Sequence, residues 1–197
     1  MNRTYIEEQR HEAIAWAQRM MAHDFLVLDL ETTDLNGTPI QIAIINQDGE
    51  SVFDSLINPG KFEIHPKAQE ITGITSKMVE YQHTFAEVHL ELYAYLAGNG
   101  PGDPQIIIAY NVAFDRRIFN AAEVYAKLTP IPWTYWQCAM ENYAKFYGEW
   151  NSYHGSFKWQ SLEKACKQQN ITVNGKAHEA LTDARMTLAL VKHMAGK

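Results

Sequence analysis

The stretch that decides the fold is residues 25–35, which read Phe25-Leu26-Val27-Leu28-Asp29-Leu30-Glu31-Thr32-Thr33-Asp34-Leu35. Its first half is short and apolar, which is typical of a buried strand. Asp29 and Glu31 stand two residues apart, so their side chains leave the same face of that strand. Because an unpaired charge is costly in an apolar run, we expect the strand to surface there or a cation to meet the pair. A strand end that frays into solvent would give the same pattern, which this composition yields about once by chance.

Patterns on both sides of this stretch predict an α/β domain. Helical spacing of apolar residues within 6–21 predicts an amphipathic helix that docks on the core. Strand-like runs follow at 40–46 and 51–58, joined by hairpin-turn chemistry, and another lies at 105–110. Helices are predicted at 84–97, with Thr84 as the N-cap, and at 112–127, 139–148, 159–169 and 179–194. A hairpin followed by strands that alternate with helices favours a mixed sheet.

Composition is that of a folded, globular chain. The 197 residues are 46% hydrophobic, 20% charged and 12% aromatic, which excludes disorder and a coiled-coil rod. No apolar run approaches the roughly 20 residues that span a bilayer, and the N-terminus lacks the apolar core of a signal peptide. We therefore expect a cytoplasmic protein without a membrane partner, whose two isolated thiols, Cys138 and Cys166, are reduced. We expect the chain to divide into an accessory helix, 1–23, and one α/β domain, 24–197.

The net charge of −6 is unevenly distributed. Residues 1–98 carry 15 acidic and 6 basic side chains, whereas residues 99–197 carry 8 acidic and 11 basic side chains. A protein that coats duplex nucleic acid would be basic overall, and this one is not. An acidic excess that belongs in part to a metal site is compatible with a polyanionic substrate.

Two further clusters carry candidate functional groups. Asp115 follows the helix-entry residue Asn111, although acidic residues near a helix start are common for dipole reasons alone. His178 and Asp183 are five residues apart, about 140° around a straight helix, so they do not share a helical face. They can converge if His178 stands on the loop before the helix, which Gly175 favours.

The clusters are more informative together than singly. Hard divalent ions such as Mg²⁺ or Mn²⁺ prefer oxygen ligands. A two-metal phosphodiester site needs about three or four convergent carboxylates and one proton acceptor for the attacking water. The sequence offers such a set at the ends of predicted elements: Asp29, Glu31, Asp115, Asp183 and His178.

The order of these motifs resembles the DEDDh family of 3′–5′ exonucleases, which includes the epsilon proofreading subunit of bacterial DNA polymerase III. Residues 28–35 resemble the first motif of that family, 110–115 the second, and 178–183 the third, His-x4-Asp. Residues 58–60 and 71–75 are similar to its NPG and HGIT segments. The resemblance covers about residues 25–194. It implies an RNase H-like exonuclease fold, a mixed five-stranded sheet flanked by helices, to which this chain adds an N-terminal helix.

The resemblance also implies roles for individual residues. Two divalent cations, Mg²⁺ or Mn²⁺, would be held by Asp29, Glu31, Asp115 and Asp183. His178 would be the general base that deprotonates the attacking water. The slot for the terminal nucleotide would be lined by Thr32, Leu35, Ile74, Asn111 and Phe114. The chain departs from the family at Tyr110 and Thr72, where histidine is common.

These features predict a metal-dependent 3′–5′ exonuclease that releases mononucleotides from single-stranded 3′ ends, with DNA favoured over RNA. One alternative is an exoribonuclease of the same family that trims RNA 3′ ends. Others are a non-catalytic single-strand-binding or scaffold module and a subunit that docks on a partner. The sequence does not decide whether the chain has a protein partner in DNA or RNA processing, or whether it is a monomer or a homodimer.

A basic and aromatic segment at 153–176 has two interpretations. It interleaves Tyr153, Phe157 and Trp159 with four lysines and the single glutamate Glu163. Such a mixture suits stacking of bases and tracking of a single-stranded backbone. Alternatively, Trp159 belongs to the core and the lysines form a solvated helix face.

Overall fold

The chain forms a mixed five-stranded sheet with helices on both of its faces. The computed structural model describes residues 3–197. Its helices are α1 (Arg3–Met20), α2 (Pro66–Thr72), α3 (Ser76–Val79), α4 (Phe85–Leu96), α5 (Val112–Tyr125), α6 (Ala139–Tyr147), α7 (Leu162–Gln168) and α8 (Ala180–Met194). Its strands are β1 (Phe25–Thr32), β2 (Pro39–Asn46), β3 (Ser51–Leu56), β4 (Gln105–Ala109), β5 (Thr134–Cys138), β6 (Trp150–Asn151) and β7 (Ser156–Phe157).

The strand order of the large sheet is β3-β2-β1-β4-β5. The β1–β2 and β2–β3 pairs are antiparallel, whereas the β1–β4 and β4–β5 pairs are parallel. The carboxyl ends of β1, β4 and β5 therefore meet at one edge of the sheet, which we call the carboxyl edge. The predicted mixed sheet is confirmed.

Side chains of β1 alternate between two hydrophobic cores. Phe25 and Val27 pack with residues of α1, α6 and α8, while Leu28 and Leu30 pack with residues of α4 and α5. Asp29 continues the row of Val27, because side chains of a strand alternate with a period of two. The acidic pair of β1 therefore faces α8.

The predicted N-terminal helix is confirmed, and it packs into the core that contains α6 and α8. The Trp16 indole N–H donates to Gln137 Oε1 of β5 at 2.7 Å. Arg10 donates through Nε to the carbonyl of Phe146 at 2.7 Å, so α1 caps the end of α6. The division into an accessory helix and a catalytic domain stays a prediction.

Local capping explains where two predicted helices begin. Thr84 is the N-cap of α4, as the sequence predicts, and it forms a reciprocal capping box with Glu87. The helix predicted at 159–169 begins only at Leu162, because the Ser161 hydroxyl accepts from the backbone N–H of Lys164 at 3.3 Å. Trp159 therefore precedes the helix and is 68% exposed. The interpretation of Trp159 as a core residue is wrong.

Four short elements are not evident from the sequence pattern. They are α2, α3, strand β5 and the β6–β7 hairpin. No residue of α2 is buried, so its sequence carries no apolar stripe. β5 is an edge strand of five residues with mixed polar and aromatic side chains. A segment this short shows no clear alternation of apolar and polar residues, so its sequence does not distinguish a strand from a loop.

Two expectations from composition can be compared with the structure. Cys138 and Cys166 are free and buried, as expected. Within residues 3–197, none of the helices has the length and apolar character needed to cross a membrane.

Candidate active site

Four carboxylates converge at the carboxyl edge of the sheet. Asp29 and Glu31 come from the end of β1, Asp115 from the first turn of α5, and Asp183 from the first turn of α8. Each helix starts at this edge, so its first turn brings an acidic side chain towards the pair on β1. The convergence is visible in the electrostatics of the four groups, each of which has a raised pKa.

The two carboxylates of β1 strongly favour their protonated forms. Burial raises the pKa of Asp29 well above its usual range, and the charges of Asp115, Asp183 and Glu31 raise it further. Burial raises the pKa of Glu31 to about 8, again with contributions from Asp183 and Asp115. Like charges in a site with little solvent disfavour ionisation, which is the situation that bound cations relieve.

For the two carboxylates on helices, hydrogen bonds and a neighbouring histidine partly offset the rise in pKa that burial causes. Burial raises the pKa of Asp115 to about 7, while hydrogen bonds from its own backbone amide and that of Leu30 lower it. Burial also raises the pKa of Asp183, whereas the ring and the backbone amide of His178 lower it. Neither compensation is complete, because both pKa values remain above that of a free aspartate.

His178 stands on the loop that enters α8, as the spacing of the third motif requires. Its φ of 61° lies in the left-handed region, which turns the chain back towards the helix start. Nδ1 of the ring lies 4.0 Å from Asp183 Oδ2, and the side chain is 48% exposed. Gly175 is needed in this loop, since its φ is +136° and a Cβ there would collide with the Thr182 hydroxyl.

The residues at this edge fit a divalent cation. Ligand atoms of Glu31, His178 and Asp183 all lie within 4.8 Å of one another. Asp183 Oδ1 is buried and has no hydrogen-bond partner within residues 3–197. A buried carboxylate oxygen without a partner costs free energy that coordination of a metal would recover. Hard oxygen donors are the set that Mg²⁺ and Mn²⁺ prefer.

Five residues are predicted to line a slot for the terminal nucleotide, and three of them lie exposed or half-buried on the elements that carry the carboxylates or directly after them. Asn111 is the exposed N-cap of α5, and its side chain makes no capping bond within the described residues. Phe114 is half-buried on the same helix, and Leu35 is 76% exposed at the tip of the turn after β1. Arg117 Nη2 donates to the Leu35 carbonyl at 2.7 Å, so α5 holds this turn in place.

The other two slot residues are mainly committed to local structure. The Thr32 hydroxyl donates to the carbonyl of Asp34 at 2.7 Å. Ile74 is only 4% exposed and belongs to a small cluster with Ile40 and Val79. Ile74 therefore offers little surface to a ligand, and the roles of both residues in a nucleotide slot stay predictions.

Gln41 is a site-supporting residue that sequence reasoning missed. It is buried on β2, directly opposite Glu31, and its Oε1 accepts from the Ala180 backbone N–H at 3.2 Å. This bond ties the start of α8 to the sheet beside the acidic pair. A polar side chain within the apolar run 40–45 was the signal, the same kind of signal that drew attention to Asp29.

Comparison with known protein families identifies the chain. A family model described as Exonuclease (RNase T) matches residues 26–191. The chain belongs to this exonuclease family. The matched range includes the four carboxylates and the histidine that converge at the carboxyl edge.

Curated relatives of the exonuclease agree with this assignment. An uncharacterised exonuclease, CP81, of Escherichia phage 186 is 32% identical over 187 residues, covering 91% of this chain and 92% of that protein. The PolC-type DNA polymerase III of Thermotoga petrophila is 37% identical over 102 residues, covering 49% of this chain and 7% of the polymerase. This second match concerns only a small part of a much longer protein.

Solved structures show the same fold. Exonuclease X in complex with 5′ overhanging duplex DNA aligns with a TM-score of 0.62 and 26% identity, covering 88% of this chain and 93% of that one. The nuclease domain of 3′hExo, described as a DEDDh family member bound to rAMP, aligns with a TM-score of 0.66 and 18% identity, covering 88% and 92%. The predicted RNase H-like fold and membership of the DEDDh exonucleases are confirmed, and the chain is a 3′–5′ exonuclease of a family that uses divalent metal ions.

We expect the metal-free exonuclease to lose thermal stability as the pH rises from about 5 to about 8. A carboxyl whose pKa is raised by folding favours the folded state fully below the unfolded value near 4. That contribution is lost as the pH rises through about 7 for Asp115 and about 8 for Glu31. Thermal melts in chelator at both pH values measure the effect, which should reach several degrees, at about 2–4 °C per kcal/mol.

Two further melts isolate the carboxylate site as the cause. Adding Mg²⁺ should raise the Tm more at about pH 8 than at about pH 5, because ionised ligands bind the cation more tightly. Asp29→Asn should flatten the pH dependence, because it removes one of the repelling charges. Identical pH dependence in this variant and the unmodified chain would contradict the prediction.

Proposed function

We propose that this exonuclease releases mononucleotides from single-stranded 3′ ends, with DNA favoured, and that its cations are Mg²⁺ or Mn²⁺. In this proposal Asp29, Glu31, Asp115 and Asp183 bind two cations. The observation that carries it is the cluster of Glu31, His178 and Asp183, whose ligand atoms lie within 4.8 Å of one another and in which the buried Asp183 Oδ1 has no hydrogen-bond partner among residues 3–197.

The chain's own groups have separable roles in hydrolysis. His178 takes the proton of the attacking water, and its half-exposed ring can pass that proton on to solvent. Asp183 lies beside Nδ1, so it orients the ring and stabilises the protonated imidazole. When bound, the cations would supply the positive charge that stabilises the attacked phosphate and the leaving oxygen.

The shape of the slot supports a single-stranded 3′ end as substrate. Leu35 projects from a turn fixed by Arg117, so an apolar side chain is held where it can wedge against a terminal base. The Asn111 amide makes no capping bond within the described residues, so it can donate to and accept from the nucleotide. A terminal nucleotide must be unpaired to enter such a slot, because its base edges are otherwise engaged.

Support for DNA comes from the relatives. Exonuclease X, at 26% identity, is bound to duplex DNA with a 5′ overhang, and PolC is a DNA polymerase. A preference for RNA over DNA would require a group that recognises the 2′-hydroxyl. DNA is therefore the substrate that we propose for this chain.

Matched DNA and RNA oligonucleotides of one sequence, labelled at the 5′ end, test the proposal. With Mg²⁺ or Mn²⁺ we expect a ladder of DNA products that shorten by one nucleotide from the 3′ end, together with free mononucleotides. The RNA ladder should form more slowly under the same conditions.

Two controls, a blunt-ended duplex and a chelator, separate the parts of this proposal. A duplex with a blunt end should be degraded more slowly than the single strand, and a chelator should stop both reactions. Faster shortening of RNA would overturn the DNA preference alone. Internal cleavage, or binding without any release of mononucleotides, would overturn the proposed function.

A further inference from the structure

Trp159 is an exposed indole held between two fixed neighbours. Its side chain is 68% exposed, whereas the next residue, Gln160, is only 3% exposed. Large aromatic side chains usually bury their area, and they recur in binding surfaces because a rigid ring loses little entropy on contact. A tryptophan that stays in solvent on an anchored segment therefore needs an explanation beyond folding.

The anchor on one side is a residue by which this chain differs from its family. The Tyr110 hydroxyl donates to the carbonyl of Gln160 at 2.7 Å, and both residues are buried. Tyr110 directly precedes Asn111, the exposed N-cap at the slot. The Tyr110 hydrogen bond thus ties the segment that carries Trp159 to the end of β4, next to the start of α5.

The anchor on the other side is the β6–β7 hairpin. The Lys158 backbone N–H donates to the Glu149 carbonyl at 2.8 Å, which fixes the residue next to Trp159. Phe157 of β7 stacks on Tyr5 of α1, with ring centroids 6.2 Å apart and an interplanar angle of 8°. The N-terminal helix therefore braces the hairpin that leads into Trp159.

The surroundings of Trp159 carry positive charge in a chain that is acidic overall. Residues 153–176 contain four lysines against one glutamate, while the whole chain has a net charge of −6. Lys158 is paired with Glu149 at 2.6 Å. Lys164 and Lys167 of α7 are exposed and form no ion pair with any residue in the described range. A polyanion is the partner that matches this charge.

The segment also lies close to the carboxylates. Glu163 and Lys167 of α7 line one cavity together with Thr182 of α8, the residue next to Asp183. A substrate strand that leaves the cation site in this direction would pass α7 and meet Trp159.

We propose that Trp159 stacks on a base of the substrate strand that lies 5′ of the scissile phosphate, with Lys164 and Lys167 near its backbone. This inference rests on the proposed function, and it makes Trp159 a substrate-positioning residue. It should act on the binding of long strands and leave the chemistry at the terminal phosphate unchanged. In this scheme Trp159 takes no part in cleavage, which the proposed function assigns to the cation-binding carboxylates and His178.

The test compares two substrates in the variant Trp159→Leu. For a single-stranded DNA oligonucleotide we expect KM to rise about 10-fold, within the range measured for a stacked base, while kcat stays near that of the unmodified chain. For the p-nitrophenyl ester of thymidine 5′-monophosphate, which has no base 5′ of its phosphate, both constants should be unchanged.

Trp133→Leu is the matched control. Trp133 is also exposed, at 46%, and it precedes β5 at the end of the sheet opposite the carboxyl edge. Its replacement removes the same indole and should leave the KM for both substrates unchanged. Trp159→Phe should restore much of the affinity, because a smaller ring still stacks.

Oligonucleotides with one abasic position locate the contact. In the unmodified chain, one abasic position should raise KM by about the same factor as Trp159→Leu, and in the variant the same abasic position should have no further effect. The inference would be overturned if every abasic position weakened binding by the same factor in Trp159→Leu as in the unmodified chain, or if Trp159→Leu left the KM for the long strand unchanged. The proposed function would stand in both cases.

If the unmodified chain hydrolyses neither substrate, the proposed function fails, and binding still tests Trp159. Fluorescence anisotropy of the labelled oligonucleotide with Mg²⁺ then replaces KM. Weaker binding by Trp159→Leu but not by Trp133→Leu supports the stacking contact, and equal binding by both variants overturns it.

Discussion

Asp183→Asn is expected to reduce oligonucleotide hydrolysis by about 10³-fold or more, and Asp29→Asn is expected to do the same. Each change removes one negative charge from the proposed cation-binding group. Asp183 Oδ1 in addition is buried and has no protein partner within residues 3–197. Steady-state release of mononucleotides from a DNA oligonucleotide measures the loss. Asp24→Asn is the matched control, because Asp24 is exposed just before the opposite end of β1 and should be fully active.

The stability of the same variants separates lost chemistry from lost folding. Asp29 and Asp183 repel their neighbours in the metal-free site, so replacing either should raise the metal-free Tm at about pH 8. Inactivity combined with a higher Tm excludes misfolding as the cause. Full activity in the double variant Asp29→Asn, Asp183→Asn would show that the proposed residue roles are wrong.

His178→Ala is expected to lower kcat by about 10²-fold or more, with little change in KM. The ring lies 4.0 Å from Asp183 through Nδ1 and is half-exposed, which suits a base that receives a proton from water. Single-turnover hydrolysis of the labelled oligonucleotide measures the chemical step directly.

Two readouts distinguish a general base from a cation ligand at His178. Added imidazole should restore part of the activity of His178→Ala, because the half-exposed position leaves room for a small base. The Mg²⁺-induced rise in Tm should persist in this variant and shrink in Asp183→Asn. If the thermal shift is lost in His178→Ala, the ring is instead a ligand of the cation. The positions of the ligand atoms of Glu31, His178 and Asp183, within 4.8 Å of one another, also permit that role.

Much of the candidate site could be predicted because its residues stand in unusual local settings. Asp29 and Glu31 interrupt an apolar run, and their common face follows from the period of a strand. The placement of His178 outside α8 was predicted from spacing and from Gly175, and the structure confirms it. Strand β1, the β2–β3 hairpin and the caps of α4 are similarly local, and all are present.

Other features depend on partners that are distant in the chain. β5 exists because β4 offers it a parallel neighbour, and its own residues carry no strong strand pattern. Gln41 supports Ala180 across 139 positions, and Tyr110 supports Gln160 across 50. A sequence pattern reports the polarity of such residues but not the atom that each one meets.

The amino-acid sequence alone determined the fold class, the order of the motifs and the identity of the acidic set with its histidine. These follow from local periodicity, from the cost of isolated charge in an apolar strand, and from a motif order that few families share. Tertiary structure decided that the charges of Asp115 and Asp183 raise the pKa values of Asp29 and Glu31 and that Trp159 is exposed on an anchored segment. Both depend on distances through space, because Coulomb energy and burial are set by neighbours that the chain brings together only when it folds.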